Sequence, residues 1–155
     1  MMTAAHFHAL IIHFPIALLM AGFLSDLISL FNQRQFFKSA SFFLLVLGTL
    51  GAIVAFISGG YAGDGMTDGV LQEPIEMHED SALITLWLAI ITTLSRAAIF
   101  YFNYLKAWAR WTSFLLFAVL TGFVARTGYL GGELVFKHGA GIELSLPDFK
   151  NEADD

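Results

Sequence analysis

The chain has 155 residues, of which 57% are hydrophobic and 14% charged, with a formal net charge of −5 and a mean hydropathy of +0.69. So little charge cannot cover a soluble surface, so the composition predicts an integral membrane protein, and the acidic balance excludes the basic footprint of a nucleic-acid binder. Cysteine is absent, which excludes disulfides, iron–sulfur clusters, thiolate metal sites and covalently attached c-type haem, and leaves nitrogen and oxygen as the only strong metal ligands.

Four apolar runs follow one another with short connections. A span needs about 20 apolar residues to cross a hydrocarbon core of about 30 Å, so the expected fold is all-α, a four-helix transmembrane bundle. Residues 1–142 would form its single domain, with 143–155 as an acidic tail. The first helix is expected from about His8 to Phe31. No Lys or Arg precedes its apolar run, so it reads as a retained helix rather than a cleaved leader. Pro15 cannot donate to the carbonyl of Ile11 and crowds it, which predicts a kink or a late start. Within lipid such a break is tolerated only where protein or a cavity surrounds it. Asp26 is the one acid expected near the inner face.

A second helix is expected from about Ser39 to Tyr61. Its small residues Gly48, Gly51, Ala52, Ala55 and Gly59 form one stripe for close helix packing, a thin wall that a flat cofactor could also use. The glycine-rich, acidic stretch from Ala62 to Met77, with Pro74, reads as a loop. Asp64 and Asp68 hint at calcium, but the spacing is not that of an EF-hand. The third helix is expected from His78 to about Phe102, with Glu79, Asp80 and Ser81 suited to its first turn. Arg96 and the aromatics Phe100, Tyr101, Phe102, Tyr104, Trp108 and Trp111 mark an interface belt. The fourth helix runs from about Trp108 to Tyr129 or beyond.

Arg34, Lys38, Arg96, Lys106 and Arg110 fall at one side of this arrangement, and the positive-inside rule assigns that side to the cytoplasm. Both termini would then be outside, an N-out/C-out bundle in a bacterial inner membrane. All five histidines, His6, His8, His13, His78 and His138, would gather at the outer leaflet. Ionisable groups at such depth are costly and commonly serve as ligands or relays. The favoured pair is His13 with His78, imidazoles from two helices that together suit the axial positions of a b-type haem, with His8 and His138 available for a second haem. Arg126, inside the fourth apolar run, needs a counter-charge, either a haem propionate or Glu133.

Two other readings stay open. Histidines with Glu79, Asp80 or Glu133 could hold zinc, copper or iron, and the acids Asp64, Asp68, Glu73, Glu76, Glu79 and Asp80 would concentrate cations for a metal-handling protein. Alternatively the small-residue stripes could serve partner helices in a membrane redox complex or a homo-oligomer. His78-Glu79 is not followed by the second histidine of a metalloprotease motif, and no phosphate loop, nucleophile elbow or basic stripe is present.

The segments HALIIHFPIALL, the isolated His78 and TGYLGGELVFKHGAGI resemble a bacterial family of four-helix integral-membrane proteins of unknown function, over nearly the whole chain from His8 to Ile142. The resemblance matches the family's paired first-helix histidines to His8 and His13, its third-helix histidine to His78 and its terminal one to His138. Ala9 stands where proline is common, and His6 is extra. Such proteins are similar in size and layout to small b-type cytochromes and associate with respiratory modules such as cytochrome c and Rieske-type domains. The resemblance therefore implies single-electron transfer between a membrane quinol or reductase and a periplasmic cytochrome or another redox partner.

Overall fold

In a computed structural model, residues 3–32, 34–63, 69–102 and 106–141 are described. They form α1 (Ala4–Ile11), α2 (His13–Phe31), α3 (Gln35–Gly63), α4 (Gln72–Tyr101) and α5 (Ala107–Phe136), with a 3-10 turn at Gly69–Leu71 before α4. With α1 and α2 taken as one span, four helices are long and apolar enough to cross a membrane. The all-α expectation is thus met. Asp64, Asp68 and the tail 143–155 lie outside the described residues.

The break between α1 and α2 falls at Ile12, three residues before Pro15, as the missing N–H requires. Each span begins earlier than the sequence suggested, and α3 and α5 also run on past Tyr61 and Tyr129. α4 starts at Gln72, within the stretch read as loop, because Pro74 sits in the first turn, where a helix has no use for its N–H anyway. Glu79 and Asp80 consequently lie in later turns rather than at the helix start.

α2 runs mainly along α3, and α4 along α5, while α3 with α4 and α2 with α5 close the ring. The glycine stripe of α3 does what packing demands. A Cβ on Gly48 would lie 2.7 Å from Leu19, one on Gly51 3.3 Å from Pro15, and one on Gly59 3.1 Å from His8. The apolar core is small, built from Leu19, Leu45, Ala89, Phe117, Leu120 and Val124. Large apolar side chains such as Leu24, Trp87, Leu94 and Leu115 face outward instead, as expected where lipid and not water surrounds the protein.

The two hairpins repeat one plan. Advancing the numbering by 70 in the leading helix places buried Pro15, Leu19 and Gly22 of α2 on buried Thr85, Ala89 and Thr92 of α4. An advance of 72 in the return helix places buried Ser41, Leu45 and Gly48 of α3 on buried Ser113, Phe117 and Leu120 of α5. Both hairpins run in the same direction, so a pseudo-twofold axis passes down the bundle, the parallel kind of internal repeat.

Candidate functional site

Two polar constellations lie on this axis, one at each end, and each pairs equivalent positions. At one end are His8 and His78; at the other, Asp26 and Arg96. Eighteen residues separate the members of each hairpin, about 27 Å at 1.5 Å per residue, close to the thickness of the hydrocarbon core.

At the histidine end, each imidazole rests on a glycine of its partner helix. The Cε1 atom of His8 would be 3.1 Å from a Cβ on Gly59, and that of His78 equally 3.1 Å from one on Gly131. His8 lies beside the Ala55 backbone and His78 beside the Thr127 backbone, and His8 is within electrostatic range of His78. A Cβ at either place would crowd the ring, which would have to give by a few tenths of an ångström.

The rings differ in their hydrogen bonds. His8 Nδ1 is 2.9 Å from Ser58 Oγ, and Ser58 donates its single proton to the Ala55 carbonyl at 2.9 Å. Ser58 must therefore accept from His8, which fixes the proton on Nδ1 and leaves the lone pair on Nε2. An imidazole held through one nitrogen with the other free is the arrangement of a metal-ligating histidine. Leu130 occupies the position equivalent to Ser58 and has no polar side-chain atom to offer, so His78 Nδ1, beside the Thr127 backbone, has no side-chain partner among the described residues.

The other predicted residues lie elsewhere. His13 opens α2 but is exposed, while Pro15, two residues on, takes the buried place against α3. The structure therefore brings His8, not His13, into the bundle with His78. His6 bonds locally to Thr3 Oγ1 at 2.8 Å. His138 is exposed beyond α5 and lines a small cavity of about 110 Å³ with Glu73, Pro74, Met77, Leu130 and Glu133. Arg126 is exposed on α5, and Glu133 accepts instead from Tyr129 and Lys137; this contact holds the Lys137 ammonium above its usual range. Among the described residues, no three His, Asp or Glu side chains gather as a metal site.

Arg96 differs most from its sequence reading. It is no interface cation but the centre of a half-buried cluster. It pairs with Asp26, donates from Nε to Ser113 and from Nη1 to Ser41 at 2.8 Å each, and lies 5.0 Å above the Phe117 ring. Every guanidinium nitrogen is thereby satisfied, which makes this end a structural clamp. The equal spacing from His8 to Asp26 and from His78 to Arg96 was the signal in the sequence that could have revealed the pairing.

Between the ends, hydroxyl clusters lie beside the apolar core. Ser81, Thr85 and Thr127 bond to one another at 2.8 Å, and Thr49 pairs with Thr93 at 2.8 Å.

A family model described as "Predicted membrane protein (DUF2231)" matches residues 4–144. No curated protein and no solved structure matches the chain.

Proposed function

Since the chain belongs to the DUF2231 family of predicted membrane proteins, whose description states no activity, its chemistry has to come from its own residues, and we propose that it is a membrane electron carrier holding b-type haem between His8 and His78. The observation that carries this reading is the pair of equivalent imidazoles at one end of the axis, one of them with Nε2 left free by the Ser58 relay. The donor set fits the group: two neutral nitrogen ligands from opposite hairpins, among helices that are otherwise apolar, with glycines that keep each ring against its neighbour. Such a haem would supply one-electron chemistry, its potential set by the two imidazoles and by burial. His8 replaces His13 as the first ligand. A closed site for zinc or copper would need more protein donors than two, so the metal-handling reading has the weaker support.

The site would exchange electrons at one membrane face, the outer face if the positive-inside assignment holds, with a respiratory partner. The test is the absorption spectrum of the full-length protein extracted from membranes. A Soret band that is lost in both His8→Ala and His78→Ala, and retained in His13→Ala, is expected. Colourless protein, or a band indifferent to His8 and His78, would sink the proposal.

A further inference from the structure

The plan shared by the two hairpins extends to their surface. A groove of about 450 Å³ lies between α1 and α3, beside the bond from His8 to Ser58, and is lined by Thr3, Ala4, Phe7, Ser58 and Tyr61. The 110 Å³ cavity near His78 is its counterpart. Glu73, Pro74 and Met77 stand 70 positions after Thr3, Ala4 and Phe7, and Leu130 and Glu133 stand 72 after Ser58 and Tyr61. The same furrow therefore occurs in both hairpins and belongs to the repeat.

What differs is the lining. The first hairpin carries hydroxyls at Thr3, Ser58 and Tyr61, where the second has Glu73, Leu130 and Glu133 and no hydroxyl at all. No charged side chain lines the larger groove, and its volume falls in the range of about 300–1,000 Å³ typical of small-molecule sites. Thr3 is committed to capping α1 and to His6. The other two hydroxyls keep capacity to spare. Ser58, itself buried, accepts from His8 and donates to the Ala55 carbonyl, which leaves the second lone pair of its oxygen unused. Tyr61 adds a phenol that no hydrogen bond among the described residues engages. Val54 and Ile57, also in the wall, are exposed on the membrane-spanning α3, so the groove opens toward lipid.

We propose that this groove binds an isoprenoid quinone, its ring among Phe7, Ser58 and Tyr61 and its tail along Val54 and Ile57. A ligand that enters from the bilayer and meets no charge in the wall is neutral and lipid-soluble. It also carries oxygen, because the groove offers it one donor and one acceptor. A quinone carbonyl accepts from the Tyr61 phenol, and the hydroxyl of the reduced ring donates to the spare lone pair of Ser58, so either form finds a partner. A phospholipid acyl chain would gain nothing from these hydroxyls. The ring would lie one side chain, Ser58, from the ring of His8. The proposal deepens the haem reading and rests on it for its purpose, a redox partner beside that ligand, whereas the binding itself needs no haem.

The test titrates the full chain in phosphatidylcholine nanodiscs with tritiated decylubiquinone, and an azido analogue of the same ring marks the site by photolabelling and mass spectrometry. Saturable uptake is expected, with the label on α1 or the last turns of α3. Ala4→Trp, which sets an indole in the groove from an exposed position, should weaken binding about tenfold or more. Tyr61→Phe keeps the ring and removes the hydroxyl, and should weaken it about fivefold, the loss of one hydrogen bond. Leu94→Trp, exposed near the other end of α4, should bind like the parent. Uptake that merely follows the amount of lipid, label elsewhere in the chain, a retained phospholipid that decylubiquinone does not displace, or parent-like affinity in folded Ala4→Trp or Tyr61→Phe would overturn the site. Colourless protein that binds the quinone would sink the haem proposal alone, and a haem-bearing protein that does not bind it would sink this one alone.

Discussion

The carboxylate of Asp26 and the guanidinium of Arg96 occupy the same position in the two hairpins and bond to each other across the diagonal of the bundle. The serines that complete the cluster, Ser41 and Ser113, are likewise equivalent to one another, and Arg96 donates to both. An arginine placed at position 26 would therefore meet the same two hydroxyls. Breaking the pair by Asp26→Ala or Arg96→Ala leaves a charge uncompensated in a half-buried site, which costs about 3–5 kcal/mol. The exchanged variant Asp26→Arg with Arg96→Asp should recover most of that loss. It should remain about 0.5–1 kcal/mol short, because Leu45 replaces the ring of Phe117 beneath the guanidinium. Thermal unfolding in detergent of the two single variants and the exchange measures this, and an exchange no more stable than the singles would refute the equivalence.

The fold was legible because apolar runs of span length and a proline near the start of the first one leave little choice of architecture. Packing of the glycine stripe was equally legible from its spacing. What the sequence did not announce is which face of a helix points inward. In a membrane bundle the outside is as apolar as the inside, so hydropathy does not separate His8, which is packed between helices, from His13, which is exposed. Arg96 was misread for a related reason: position near a helix end suggested an interface cation, whereas a carboxylate 70 residues earlier in the chain draws it inward. The start of α4 moved because Pro74, taken as a loop residue, is equally at home in a first turn.

Glycines at the histidine end offer a sharp contrast between neighbours. A methyl on Gly131 would press on the His78 ring at 3.1 Å, whereas one on Gly132 would meet nothing within 4 Å. Gly132→Ala should thus stabilise the helix by up to about 1 kcal/mol through its propensity alone, and leave any bound chromophore undisturbed. Gly131→Ala should forfeit that gain and shift or weaken the absorption band. The same opposition is expected between Gly59→Ala, which meets His8, and Gly60→Ala, which meets nothing. Parallel melting curves and spectra of the four variants decide it.

Close approach of α2 and α3 sets a further expectation. At Gly48 an added Cβ would sit 2.7 Å from both Cγ and Cδ2 of Leu19, a wholly buried side chain in the apolar core. Overpacking of this kind costs about 1–3 kcal/mol. Gly48→Ala should lower the melting temperature, and the double variant with Leu19→Ala, itself a costly truncation, should lose less than the two single losses added together. If the two changes simply add, the contact is not what limits the substitution.

Ser58 and Leu130 explain why two equivalent histidines are not alike, and exchanging their chemistry should exchange the behaviour of the rings. Ser58→Ala removes the acceptor of the His8 Nδ1 proton from a half-buried ring, a loss of about 1 kcal/mol. It also frees the imidazole to take either tautomer, since the bond that fixed Nδ1–H is gone. Leu130→Ser would place a hydroxyl beside His78 Nδ1, which has no side-chain partner among the described residues, and the gained hydrogen bond should offset much of the apolar area given up. Nitrogen-15 NMR of histidine-labelled protein reads the tautomers directly. His8 should show one protonated Nδ1 in the parent and a mixture in Ser58→Ala, while His78 should move toward a single form in Leu130→Ser. Identical His8 spectra in parent and Ser58→Ala would mean that the relay from His8 through Ser58 to Ala55 does not orient the ring, and with it would go the reason for assigning Nε2 as the ligand atom.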